Sequence, residues 1–137
     1  MPEGRSLRVL VVDDDIRVAD SLVQILVASG HDALAAYSAE AAMKLAEKLD
    51  PDAVVSDVVM GPVSGVELAN YIREHYPECR VLLFSGYAST QDFTAAVLTP
   101  GSAVQFMPKP VVPERILNFL ATCTPKEARV ESEPSER

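Results

Sequence analysis

Apolar positions along this chain follow two rhythms. Five short runs, residues 8–12, 33–37, 53–56, 80–84 and 103–107, are dense in Val, Leu and Ala. Val9-Leu10-Val11-Val12, Ala53-Val54-Val55 and Val81-Leu82-Leu83-Phe84 are continuously apolar, as strands covered on both faces must be. Between the runs the spacing becomes helical. Residues 15–29 carry Val18, Leu22, Ile25 and Leu26 on one stripe, with Gly30 as a stop. Residues 38–49 are alanine-rich, open on Ser38 as an N-cap and end before Pro51. Ser64-Gly65-Val66-Glu67 has capping-box spacing and opens a helix over 64–75. A shorter helix over 89–98 is ended by Pro100-Gly101, and Pro113 suits the first turn of a last helix over 113–121. The alternation predicts an α/β fold of the (βα)5 kind. Right-handed crossovers then give one open, doubly wound parallel sheet with helices on both faces.

Composition narrows the function classes. With 137 residues, 48% hydrophobic and 23% charged, the chain fits one ordinary globular domain. We read residues 1–6 as a short extension, 7–123 as the folded unit, and 124–137 as an acidic, disordered tail or linker. A net charge of −8 disfavours phosphate backbones and anionic membranes, so neither direct nucleic-acid nor membrane binding is expected. No signal-like run follows Met1 and no stretch is long enough to span a bilayer, so a cytoplasmic protein is expected. Cys79 and Cys123 lie far apart and read as reduced thiols. His31 and His75 are isolated and receive no functional role.

Ligands of open α/β sheets bind beyond the carboxyl ends of the strands, which makes the residues just after each run the informative ones. They are Asp13-Asp14-Asp15, Asp57, Ser85-Gly86 and Lys109-Pro110. Three adjacent carboxylates repel unless a cation sits among them, and a few hard oxygens with water suit Mg²⁺. A carboxylate beside such a cation can attack phosphorus to give an aspartyl phosphate, with an ammonium group neutralising charge on the phosphoryl oxygens. Each group has a plainer reading. Asp13 to Asp15 could cap a helix and favour its dipole; Asp57 could cap a turn; Ser85 and Lys109 could be ordinary loop residues. Co-location at four strand ends favours the chemical reading.

Four segments then resemble the signatures of response-regulator receiver domains: Val11-Val12-Asp13-Asp14-Asp15, Asp57-Val58-Val59-Met60 with Gly65 eight residues after Asp57, Phe84-Ser85-Gly86-Tyr87-Ala88, and Phe106-Met107-Pro108-Lys109-Pro110. The resemblance covers about residues 7–122. It implies a flavodoxin-like sheet of order 2-1-3-4-5. It also implies Mg²⁺ held by Asp14, Asp57 and the Val59 backbone carbonyl, with Asp13 acting through water. Asp57 is then the phosphoacceptor, Lys109 pairs with the phosphoryl oxygens, Ser85 moves toward the phosphoryl group and Phe106 is the switch aromatic. The Lys109–Pro110 bond is expected to be cis. The implied donor is a histidine kinase or histidine phosphotransfer protein. The implied output is a downstream protein or homodimer contact through residues 89–121.

Two positions depart from the family pattern. The loop after Asp57 reads Met60-Gly61-Pro62-Val63-Ser64-Gly65, with its proline one place late, and Phe106 lacks a tyrosine hydroxyl. Two other functions compete. An aspartyl-nucleophile phosphohydrolase would use Asp13-x-Asp15 but needs a substrate cap that no segment is long enough to form. A non-phosphorylated interaction module would not need the Asp14, Asp57 and Lys109 set. The reading is therefore a switch that catalyses only its own phosphorylation and dephosphorylation, either standing alone or as a piece of a larger regulator.

Overall fold

The computed structural model describes residues 6–86 and 104–125. Five parallel strands, β1 (Arg8–Val12), β2 (Asp32–Ala36), β3 (Ala53–Asp57), β4 (Arg80–Ser85) and β5 (Val104–Pro108), pair in the order β2-β1-β3-β4-β5. The helices are α1 (Ile16–Ala28), α2 (Ala39–Leu49), α3 (Gly65–His75) and α4 (Pro113–Ala121). The helix predicted over 89–98 and most of the predicted tail lie outside the described residues.

The continuous apolar runs are explained by two cores, one on each face of the sheet. Val9 and Val11 of β1 pack with Val55, Leu82 and Phe84, and with Leu22 and Leu26 of α1 and Ile116 and Leu120 of α4. Leu10 and Val12 pack with Val54 and Leu83, and with Ala42 of α2 and Leu68 and Ile72 of α3. Alternate strand residues therefore serve opposite layers. Each fully buried Val or Leu contributes about 1.5–3 kcal/mol by leaving water, and this burial holds the layers.

Local signals set where the elements begin and end. Ser38 caps α2 by accepting from Ala41 N–H. Ser64 and Glu67 form the reciprocal capping box of α3. Gly30, after α1, has φ +101, the left-handed region where a side chain is strained. No helix among the described residues is long and apolar enough to cross a membrane.

Strand β1 has the expected bounds; the others end one residue away from expectation, and the differences in β2, β3 and β4 matter. Strand β2 begins at Asp32 rather than Ala33, because Asp32 N–H donates to Leu7 O at 2.9 Å and extends the ladder backward. It ends before Tyr37, whose hydroxyl donates to Asp20 of α1 at 2.6 Å. Strands β3 and β4 each run one residue further than predicted. The register pairs Asp57 with Phe84 and Ser85 with Pro108. The acceptor candidate and the hydroxyl are therefore the last residues of rigid strands.

Candidate functional site

The carboxyl edge of the sheet gathers the four groups singled out in the sequence. Asp13 follows β1 and is buried; its N–H donates to Ala36 O at 3.1 Å, extending the pairing of β1 with β2. Its carboxylate accepts from Asp15 N–H at 2.9 Å, which folds the chain back and leaves Asp14 exposed beside it. Asp15 is the N-cap of α1, accepting from Arg17 N–H at 3.1 Å. The acidic triplet thus divides its labour: the capping role falls to Asp15, while Asp13 and Asp14 join Asp57. Oxygens of these three carboxylates lie within 4.8 Å of one another. With the Asp15 carboxylate engaged at the helix end, the Asp13-x-Asp15 pairing of a hydrolase is not formed.

Asp57 is 5% exposed at the end of β3. One of its oxygens, Oδ2, accepts from Lys109 Nζ at 3.1 Å. The other, Oδ1, is buried and has no hydrogen-bond partner among the described residues. A buried carboxylate oxygen left bare costs about 1–3 kcal/mol or more, and the Asp57 carboxylate is clustered with two others. That combination fits a hard divalent cation: three clustered anionic oxygens on one side and one ammonium on the other. Asp13, Asp14 and Asp57 each offer one carboxylate oxygen to such a cation.

Electrostatics agree with the geometry. The Asp13 carboxyl is raised above its ordinary value, first because it is buried, and further by the neighbouring Asp57 and Asp14. The hydrogen bond from Asp15 N–H and the charge of Lys109 act in the opposite direction without cancelling the rise. The pocket stores like-charge repulsion that a bound cation would relieve.

Lys109 and Ser85 are brought in by β4 and β5. Lys109 N–H donates to Ser85 O at 2.9 Å, which fixes the two strand ends relative to each other, and the Lys109–Pro110 peptide is cis. Ser85 is 1% exposed. Phe106 is half-buried on β5, where it packs against the cluster shared with α2 and α3 and pairs in register with Leu83. Val59 is 57% exposed. Tyr87 lies outside the described residues.

The unusual loop after Asp57 is closed by glycine. Gly65 N–H donates to Val58 O at 2.7 Å, and a Cβ at Gly65 would run into the Asp57 carbonyl oxygen and sit 2.8 Å from Val58 Cα. Only glycine permits this approach, and the shifted Pro62 does not disturb it. One feature had no sequence signal: an open groove of about 800 Å³ runs from the acids along α1, past Val18, Leu22 and Ile25, to Val111 and Pro113. The helical stripe of α1 was legible as core, but its lateral opening depends on how far α4 stands from α1.

Comparison with known proteins gives a uniform result. Residues 9–121 match the family model described as the response regulator receiver domain. The chain is 32% identical over 83% of its length to the response regulator protein FleR of Pseudomonas aeruginosa, covering 24% of that protein. It spans between 24% and 55% of the length of the curated relatives it matches first. Among solved structures, the chemotaxis response regulator CheY4 of Vibrio cholerae superposes with a TM-score of 0.74 at 25% identity, over 85% of this chain and 98% of that one. The response regulator TrrA of Thermotoga maritima, solved in complex with Mg²⁺–BeF, superposes with a TM-score of 0.71 at 23% identity, over 83% and 96%. The chain belongs to the response regulator receiver domain family, the receiver module of two-component signalling.

Proposed function

We propose that residues 7–123 form a receiver unit in which Asp57 accepts a phosphoryl group from a histidine kinase or histidine phosphotransfer protein, in the cytoplasm and with Mg²⁺. The observation that carries this reading is the division of the Asp57 carboxylate. Oδ2 is held by Lys109, Oδ1 is buried with no hydrogen-bond partner among the described residues, and the carboxylate clusters with those of Asp13 and Asp14.

Transfer from a phosphohistidine then follows from the residues present. A carboxylate oxygen of Asp57 attacks phosphorus, the P–N bond breaks, and its electron pair leaves with the imidazole nitrogen. Lys109 neutralises charge on the phosphoryl oxygens. When bound, Mg²⁺ supplies charge neutralisation between Asp57 and the phosphoryl group; Asp14, Asp57 and the Val59 carbonyl are its proposed ligands, with Asp13 acting through water. The open groove beside the acids gives a donor side chain access.

The output is the Ser85 and Phe106 couple. Ser85, buried at the end of β4, gains acceptor oxygens to bond once Asp57 is phosphorylated. Its inward shift changes the packing on the side where half-buried Phe106 sits. The contact proposed over residues 89–121 for a downstream protein or a second copy then changes where it includes β5 and α4.

Incubation with acetyl phosphate and Mg²⁺ tests the assignment by intact mass. The parent is expected to gain one phosphoryl group and Asp57→Asn none. Labelling that persists in the Asn variant and maps elsewhere overturns Asp57 as the acceptor.

A further inference from the structure

Strand β3 carries one buried polar side chain that the chemistry above does not use. Ser56 is 0% exposed. Its Cα partners on the neighbouring strands are Val12 and Leu83, and the cluster around them is apolar: Leu10, Val54, Val58 and Leu68. A hydroxyl is tolerated in such surroundings when it is hydrogen-bonded. Ser56 Oγ donates to the carbonyl oxygen of Asp57 at 2.8 Å.

That oxygen occupies a particular place. It is the atom that a Cβ on Gly65 would strike, and the next carbonyl, that of Val58, accepts from Gly65 N–H at 2.7 Å. Two successive carbonyls are therefore held, one by the Ser56 hydroxyl and one by the Gly65 amide, while the N–H of the peptide between them, that of Val58, donates to Phe84 O at 2.9 Å. The peptide between Asp57 and Val58 links the acceptor carboxylate to the stretch that ends in the Val59 carbonyl. If this peptide turns, the carboxylate and that carbonyl move relative to each other.

We propose that Ser56 is a positioning residue for phosphoryl transfer: its hydroxyl, donated to the Asp57 carbonyl, holds the peptide that sets the Asp57 carboxylate and the Val59 carbonyl in mutual register. This rests on the reading of Asp57 as acceptor and cation ligand. The plainer account is that Ser56 is a small core residue whose hydroxyl takes the nearest acceptor. The two differ in what the hydroxyl is for, and Ser56→Ala separates them because it removes the hydroxyl while leaving Cβ in the core.

The experiment compares the parent, Ser56→Ala and Ser56→Thr. Threonine keeps the hydroxyl and its β-branch suits a strand. Mg²⁺ affinity is read from amide shifts in a titration with Mg²⁺ alone. The rate of phosphoryl uptake from acetyl phosphate is read by mass at saturating Mg²⁺, and the Asp57 carbonyl ¹³C shift reports the hydrogen bond itself. Ser56→Ala is expected to weaken Mg²⁺ binding and slow uptake by about tenfold, the scale for losing a partner that orients a metal ligand. The carbonyl shift should move with little change in melting temperature, and Ser56→Thr should restore all three. Parental affinity and rate in Ser56→Ala overturn the proposal. So does an equal loss in Ala and Thr, which would make side-chain volume rather than the hydroxyl the cause. Failure of the parent to take up phosphoryl would instead defeat the reading of Asp57, and Ser56 would then be judged on the Mg²⁺ titration and the carbonyl shift.

Discussion

Strand β3 has a buried aspartate near each end, and the two are treated in opposite ways. Asp52, just before the strand, is 2% exposed. Its Oδ2 accepts from Arg8 N–H at 2.8 Å and lies 3.9 Å from Arg8 Nε, while its own N–H and C=O bond to Arg8 O and from Arg80 N–H. Asp57, at the far end, is nearly as buried but leaves Oδ1 without a partner among the described residues and has two more acids against it. One carboxylate is tied to β1 through Arg8; the other is held in a state that an added cation or phosphoryl group improves. Burial alone thus does not mark function. What separates the ends is whether the buried charge has been satisfied by the protein itself.

The largest expected effect comes from supplying what Asp57 lacks. Mg²⁺ that binds only the folded state should stabilise the parent by about 2.7 kcal/mol at a concentration one hundred times its Kd. Melting curves in EDTA and in Mg²⁺ measure this. The comparison requires the increment to vanish in Asp57→Asn and to survive in Asp52→Ala. An unchanged parent melting temperature, with no binding in a titration, would remove the basis for calling the carboxyl edge a cation site.

Removing each carboxylate should give opposite signs in EDTA. Asp52→Ala takes the acceptor from Arg8 N–H and is expected to cost about 1–3 kcal/mol, while leaving phosphoryl uptake at Asp57 intact. Asp57→Asn relieves repulsion with Asp13 and Asp14 and should leave stability equal or higher, at the loss of uptake. Chemical denaturation of both variants checks the pair. A destabilised Asp57→Asn would mean that its contact with Lys109 outweighs the repulsion.

Much of this was readable from residue order. The (βα)5 alternation, the Ser38 and Ser64 caps, and the four strand-end groups all rest on local patterns, and local patterns survive folding. The departures arise where a distant partner decides. Tyr37 leaves β2 because Asp20 of α1 holds its hydroxyl. Asp15 parts from Asp13 and Asp14 because helix α1 needs a cap there. Asp52 drew no notice, since nothing beside Pro51-Asp52 announces a ligand; its partner Arg8 is 44 residues away. Ser56 read as one more residue of an apolar run, and only the turn at Gly65 shows where its hydroxyl goes. His31 likewise looked idle, yet its Nδ1 accepts from Leu7 N–H at 3.1 Å near the start of β2.

The smallest expected effect is also the sharpest contrast between the two edges, because they should respond to pH with opposite slopes. At the carboxyl edge, Asp13 is raised above its ordinary 3.8 by burial and then by Asp57 and Asp14. Its folded form holds a proton more tightly than the unfolded chain, so this contribution is whole below pH 3.8 and is lost as pH rises through the higher folded value. At the other edge, burial lowers His31 below its ordinary 6.5, against the opposing charge of Asp32. The unfolded chain binds that proton more readily, so the His31 contribution is whole above pH 6.5 and is lost as pH falls through the lower folded value. Urea titrations in EDTA across pH 4 to 7.5 should therefore show Asp13→Asn losing a component that declines with rising pH, and His31→Asn losing one that declines with falling pH. Both variants change a local hydrogen bond, so the slope and not the absolute stability is the quantity to compare. Parallel slopes in the parent and Asp13→Asn would show that Asp13 feels no net penalty from its neighbours, and the contrast between a satisfied and an unsatisfied edge would then rest on Asp57 alone.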